Sequence, residues 1–165
     1  MAYNLGCGDI HWDGWINVDM NKSDAVDKKC DVRHMPEIRS NTADAVAAIH
    51  LLEHFYPWQV LDILSEWRRI LKPGGKLILE LPCLDKIMDY IASAVNQNIQ
   101  MDANFAIYHP LYGDPKHRSA EQMHKWGWFV ENLTAVLKTV GFRNIQSVPP
   151  RYHFAFRDMR LEATK

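Results

Sequence analysis

Leu71-Lys72-Pro73-Gly74-Gly75-Lys76-Leu77-Ile78-Leu79-Glu80-Leu81-Pro82 sets a helix stop directly before a buried strand. Pro73 cannot continue a helix, and the glycines tolerate a left-handed turn. Residues 76–82 are then almost all apolar. Continuous apolarity predicts a strand covered on both faces, as in the middle of a parallel sheet. Upstream, Val60, Leu61, Leu64, Trp67 and Leu71 recur at three- and four-residue spacing and predict one helix face, with Pro57 in its first turn. Asp44 to Leu52 predicts another buried strand. Strand, helix and strand in this order predict βαβ units and an α/β fold.

Working outward, Tyr3 to Leu5 predicts a short strand ending in Gly6-Cys7-Gly8. Trp15 to Val18 predicts a second, closed by Asp19, and Lys28 to Val32 a weaker third. Beyond residue 82 the pattern changes. Cys83 to Gly127 reads as a loop-rich insertion of about forty residues, and long insertions in compact domains are usually functional. Within it, Ile87, Ile91 and Val95 predict a short helix. Phe105, Tyr108, Tyr112, Trp126 and Trp128 predict either an ordered, water-excluding lid or plain core packing. Leu133, Val136, Leu137 and Val140 predict a last helix, stopped by Gly141. Phe142 to Val148 and Phe154 to Glu162 predict two final strands around Pro149-Pro150. Their connection is too short for a helical crossover, so they pair antiparallel.

The 165 residues suit a single domain over 1–165 with a lid-like insertion at about 83–127. Apolar residues make up 47% and charged residues 24%, an ordinary globular balance. Nineteen basic and twenty acidic side chains leave a net charge of −1, which argues against a nucleic-acid partner bound by bulk charge. The N-terminal residues lack the pattern of a signal peptide, and no stretch approaches a membrane span. Cys7, Cys30 and Cys83 are odd in number and never form CxxC. They predict free thiols in a reducing, cytoplasmic setting and no structural zinc.

Three acidic or glycine signals follow strands. Gly6 and Gly8 let a backbone approach a ligand closely, or simply form a tight turn. Asp19 lies where ligands bind in open α/β sheets; its carboxylate suits both hydroxyls of a ribose, or an Asx turn. Asp31, after the weak third strand, suits an adenine amino group or an ordinary loop. His50-Leu51-Leu52-Glu53-His54 looks like an inverted zinc-protease pattern. It follows a strand, whereas that chemistry needs both His on one helix, and no third ligand stands out in the sequence. A metal site is therefore not expected. A nicotinamide cofactor is not expected either, because position 11 is His11 and the acid comes too soon.

Together these residues resemble the class I S-adenosylmethionine-dependent methyltransferases, of the small type called methyltransferase type 11. The resembling stretches are Asn4 to Gly8, Gly14 to Asp19, Asp31-Val32-Arg33, Leu51 to His54 and Leu71 to Leu77. His124 to Trp128 and Val140-Gly141-Phe142 match the C-terminal part. The resemblance covers nearly the whole chain in order. It implies an α/β, Rossmann-like seven-stranded mixed sheet of order 3-2-1-4-5-7-6 with strand 7 antiparallel. Ile10 stands where the family has a third glycine. Only Asp9 to Trp15 separate the glycine turn from the next strand, so the expected version is minimal, with a shortened first helix and no N-terminal cover.

The resemblance also implies the chemistry. S-adenosylmethionine would be the cofactor and S-adenosylhomocysteine its product. Leu5, Gly6, Cys7, Gly8, Asp19, Met20, Asp31, Val32, His50 and Leu51 would form the cofactor site. Gly6 and Gly8 would contact the methionine moiety, and His50 and Leu51 would lie near the methyl group. Methyl transfer is an in-line displacement that needs mainly positioning and desolvation. A base is required only for a hydroxyl or a protonated amine. His54, His109 and His124 are the foremost candidates, with His117, Glu53 and Tyr112 behind them. The expected acceptor is a small molecule or saccharide, with no membrane partner. The alternative is a non-catalytic cofactor-binding module, or a subunit that needs a partner to complete its active site; a homodimer is a separate expectation for assembly.

Overall fold

Seven strands form one sheet: β1 (Ala2–Leu5), β2 (Ile16–Asp19), β3 (Lys28–Lys29), β4 (Ala43–Ile49), β5 (Leu71–Pro82), β6 (Arg143–Val148) and β7 (Asp158–Thr164). The structure, a computed structural model, describes residues 1–165. The strand order is β3-β2-β1-β4-β5-β7-β6. All pairs through β5 are parallel, and β7 runs antiparallel to both β5 and β6. This is the Rossmann-like order that the family resemblance implies.

The helices are α1 (Val60–Ile70), α2 (Leu84–Asn96), α3 (His109–Tyr112) and α4 (Val130–Val140). The face α1 buries is Val60, Ile63, Leu64, Trp67 and Ile70. This corrects the expected stripe: Leu61 is exposed, and Leu71 already belongs to β5. Both stripes fit a helical period. Packing of α1 against α4 and β5 decides between them. In α2, Ile87 and Ala94 are buried while Val95 points outward, again a shift of the expected face.

The Pro73-Gly74-Gly75 segment does not separate helix from strand. Leu71 pairs with Ala43, and the register resumes only at Lys76 opposite Ala45. The glycines therefore form a bulge inside β5. Gly74 adopts φ +77°, and Lys165 pairs with the bulge through Gly75 O (3.0 Å) and Gly74 N (3.2 Å). β7 likewise begins at Asp158 rather than at Phe154. Residues 154–157 form a turn closed by Asp158 N to Phe154 O and by Phe154 N to the Asp158 carboxylate, both 2.9 Å.

The first helix is absent rather than shortened. Only turns join β1 to β2, β2 to β3 and β3 to β4. Side chains replace the missing helical hydrogen bonds. Asn17, fully buried in β2, accepts from Asn4 Nδ2 (3.0 Å) and from Trp12 N (2.9 Å). Its amide group donates toward Trp12 O (3.1 Å) and the Asp27 carboxylate (2.9 Å). Glu66 and Arg69 on α1 do the same for the β3–β4 connection, binding Met35 N (2.6 Å), Ile38 O (2.8 Å) and Met35 O (2.9 Å).

The insertion leaves and rejoins the sheet at one place. Cys83 bridges Trp128, and Leu84 N donates to Trp128 O at 2.9 Å.

Candidate active site

A cleft of about 500 Å³ opens beyond the carboxyl ends of β1, β2 and β4. Gly6, Gly8, Asp19, Met20, Asp31, Val32, His50 and Leu51 line it. Leu5 and Cys7, the other two residues implied for the cofactor, are buried behind the glycine turn. Burial and the nearby Asp19 charge push the Cys7 thiol up to about 11, so it stays protonated. The three cysteines are unpaired.

The glycine turn owes its shape to two left-handed residues, Gly6 (φ +66°) and Gly8 (φ +55°). A Cβ at Gly6 would stand 2.6 Å from Leu51 Cδ1, so the glycine allows Leu51 to close on the turn. The turn's amides are already used. Gly6 N (2.8 Å) and Cys7 N (3.1 Å) donate to Val18 O, and Gly8 N donates to Asp19 Oδ2 at 3.0 Å. Asp19 also accepts Asn21 N through Oδ1 at 2.8 Å, the Asx turn that its position allows. Each oxygen retains one lone pair, which leaves room for a diol.

Asp31 is occupied differently. The Arg33 fork reaches both its oxygens, at 2.9 Å and 2.7 Å, and Arg33 N donates at 3.0 Å. These contacts hold the Asp31 carboxyl below the usual range. An adenine amino group would bind it only once Arg33, itself on the cleft wall, swings aside. Val32 beside it accepts the indole N–H of Trp67 at 2.9 Å.

Of the three imidazoles foremost for proton transfer, only His54 lines the cleft. His124 lies behind it, edge-on at 4.9 Å between ring centroids, with Nδ1 2.8 Å from Pro110 O. Burial pushes the His124 imidazole down. His109 and Tyr112 lie in α3 and His117 in the turn after it, all away from the cleft wall. Glu53 is buried. Burial alone would raise its carboxyl, but the surrounding imidazoles, His50 first, hold it below the usual range. His50 has φ +50° and faces two buried carboxylates, Glu53 at 3.2 Å and Asp158 at 3.7 Å. Burial opposes its charge, yet these neighbours raise its pKa above the imidazole norm.

The insertion reaches the cleft mainly with polar residues rather than with its aromatics. Ala120, Glu121, Gln122 and Lys125 form part of the wall. None of the five expected lid aromatics lines it: Trp128 is core, Phe105 packs on Phe154, and Tyr108, Tyr112 and Trp126 are exposed. Glu80, which sequence reasoning missed, holds the β6–β7 connection without lining the cleft. Fully buried on β5, it accepts Arg151 N, Tyr152 N and His153 N at 2.8–2.9 Å. Within that connection Tyr152 stacks on Trp12 at 4.6 Å.

Residues 15–79 match the model of the family described as "Methyltransferase domain". A SAM-dependent methyltransferase from Archaeoglobus fulgidus shares 17% identity and a TM-score of 0.68, covering 99% of this chain and 85% of that one. One from Methanosarcina mazei shares 14% identity and a TM-score of 0.63, covering 99% and 91%. The Burkholderia thailandensis 1,6-didemethyltoxoflavin-N1-methyltransferase, solved with its named substrate and S-adenosylhomocysteine, shares 14% identity and a TM-score of 0.63, covering 99% and 70%. No curated protein matches the sequence. Sheet order and these superpositions define the class: the chain has the class I S-adenosylmethionine-dependent methyltransferase fold.

Proposed function

We propose that the chain binds S-adenosylmethionine in this cleft and catalyses methyl transfer to a small-molecule or saccharide acceptor. The observation that carries the reading is the meeting of the Gly6–Leu51 contact, the Asp19 carboxylate and the Asp31 loop in one cleft at the strand ends. When bound, the cofactor supplies an activated methyl group on a sulfonium. Gly6 and Leu51 exclude water beside that group, and Asp19 holds the ribose through its spare lone pairs. The protein's remaining task is to hold the acceptor in line. Tyr56 lines the cleft and stacks on Trp58 at 4.5 Å, an exposed platform suited to the face of a sugar or a planar ring. The His54–His124 pair is where the proton of a hydroxyl acceptor is handled.

Thermal unfolding with S-adenosylmethionine and S-adenosylhomocysteine tests the binding half. Ligand at a hundredfold over its Kd adds about 2.7 kcal/mol. Asp19→Ala abolishes that shift. A folded sample that shifts with neither ligand defeats the reading. Product formation across a panel of sugars and small hydroxyl or amine acceptors tests catalysis, and separates an enzyme from a binding module.

A further inference from the structure

We propose that Glu53, His54 and His124 form a binding site for a divalent transition-metal ion of the zinc class, reached from the cleft through His54. Two imidazoles and one carboxylate are a donor set that zinc takes when it keeps a fourth position open. Nitrogen donors select zinc, cobalt or nickel over magnesium and calcium. The ligand atoms lie within 4.8 Å of one another, with His124 Nε2 4.0 Å from Glu53 Oε1. Edges of a tetrahedral site with bonds of about 2.1 Å measure about 3.4 Å, so small side-chain rotations close the site.

Glu53 supplies the strongest argument. Its side chain is 2% exposed, and neither carboxylate oxygen has a hydrogen-bond partner. His50 Nδ1, 3.2 Å away, pairs with Glu53 only when that imidazole is protonated. A buried carboxylate without donors is costly unless a cation meets it. The imidazoles are oriented for that cation. His124 Nδ1 faces Pro110 O at 2.8 Å, and His54 Nδ1 faces Met123 O at 3.3 Å. A ring nitrogen facing a carbonyl carries the hydrogen, which in the neutral ring leaves Nε2 as a bare lone pair. In His124 that Nε2 is the atom directed at Glu53, so acceptor faces acceptor. The backbone preassembles the group: Glu53 O accepts Lys125 N (2.7 Å) and Trp126 N (3.3 Å), locking the insertion beside the Glu53–His54 turn.

Metal binding is read without any methyl-transfer assay, although a bound ion would take the His54 and His124 lone pairs that the proposed function gives to proton handling. The full chain, treated with chelator, is titrated with Co²⁺ and then Zn²⁺. One equivalent of Co²⁺ should give visible ligand-field absorption that Zn²⁺ displaces. Glu53→Gln and His54→Ala should each weaken Zn²⁺ binding by about a hundredfold or more. His153→Ala, in the separate His50–His153–Asp158 group, should leave it unchanged. Circular dichroism confirms that each variant is folded; His54, at the cleft wall, carries the test if Glu53→Gln does not fold. Absence of stoichiometric binding by the wild type overturns the proposal, since a proton on His50 then suffices for Glu53. Equal affinity in wild type and Glu53→Gln or His54→Ala also overturns it, as does loss confined to His153→Ala.

Discussion

The indole N–H of Trp67, on the buried face of α1, donates to the carbonyl of Val32 at 2.9 Å. A residue of the core thus holds the loop that carries Asp31 to the cleft. Trp67→Phe keeps a ring but strands that carbonyl and opens a small void. It should cost about 2–3 kcal/mol in urea unfolding. Affinity for S-adenosylhomocysteine should fall about tenfold, or 1.4 kcal/mol, if loop position matters. A stability loss with unchanged affinity would remove Trp67 from the positioning of the cleft.

Glu80 gives a pH dependence with a definite sign. Burial raises its carboxyl, but three backbone amides and Arg160 outweigh that and hold it below the usual range. A depressed folded pKa means that its stabilisation is complete above the unfolded value of about 4.3 and fades as pH falls through the folded value. Glu80→Gln should cost about 3–5 kcal/mol at neutral pH, and its deficit against wild type should narrow on acidification. Urea midpoints across that range check both statements. A constant deficit at all pH values contradicts the carboxylate clamp.

Gly6 combines a backbone and a steric requirement, and the two separate. Gly6→Ala should lose about 1–2 kcal/mol to its φ of +66° alone, and more to the Leu51 contact. In a Leu51→Ala background only the backbone part should remain, a coupling of about 1 kcal/mol. Additive losses in the double-mutant cycle would show that Leu51 yields without cost.

Asn17→Ala should uncouple the helix-free start of the sheet. It leaves Asn4, Trp12 and Asp27 without their shared partner inside the fold. Stability should drop by about 3 kcal/mol or more. Hydrogen exchange should rise first over residues 6–15. Uniform acceleration across the sheet would mean that Asn17 supports the core rather than that loop.

What the sequence made readable was local. The Asp19 strand end, the buried 76–82 run and the α1 period each depend on neighbours a few residues apart. The Arg33 fork on Asp31 is equally local and was open to the same reading. What escaped depends on partners far along the chain. Glu80 meets amides 71 to 73 residues away. The Gly74–Gly75 bulge was legible as a breaker, but its place inside a strand depends on pairing with Lys165. His124 joins the Glu53–His54 turn only because the insertion folds back on it, so the five-residue motif showed no third ligand.

The Cys83–Trp128 bridge makes the intervening segment an exchangeable cassette. Its two ends already meet, so altering its length adds little loop-closure entropy, about 0.6 kcal/mol per doubling. The wall it lends to the cleft, from Ala120 to Lys125, is therefore open to redesign, while Gly6, Asp19 and Asp31 stay anchored at or just beyond the strand ends.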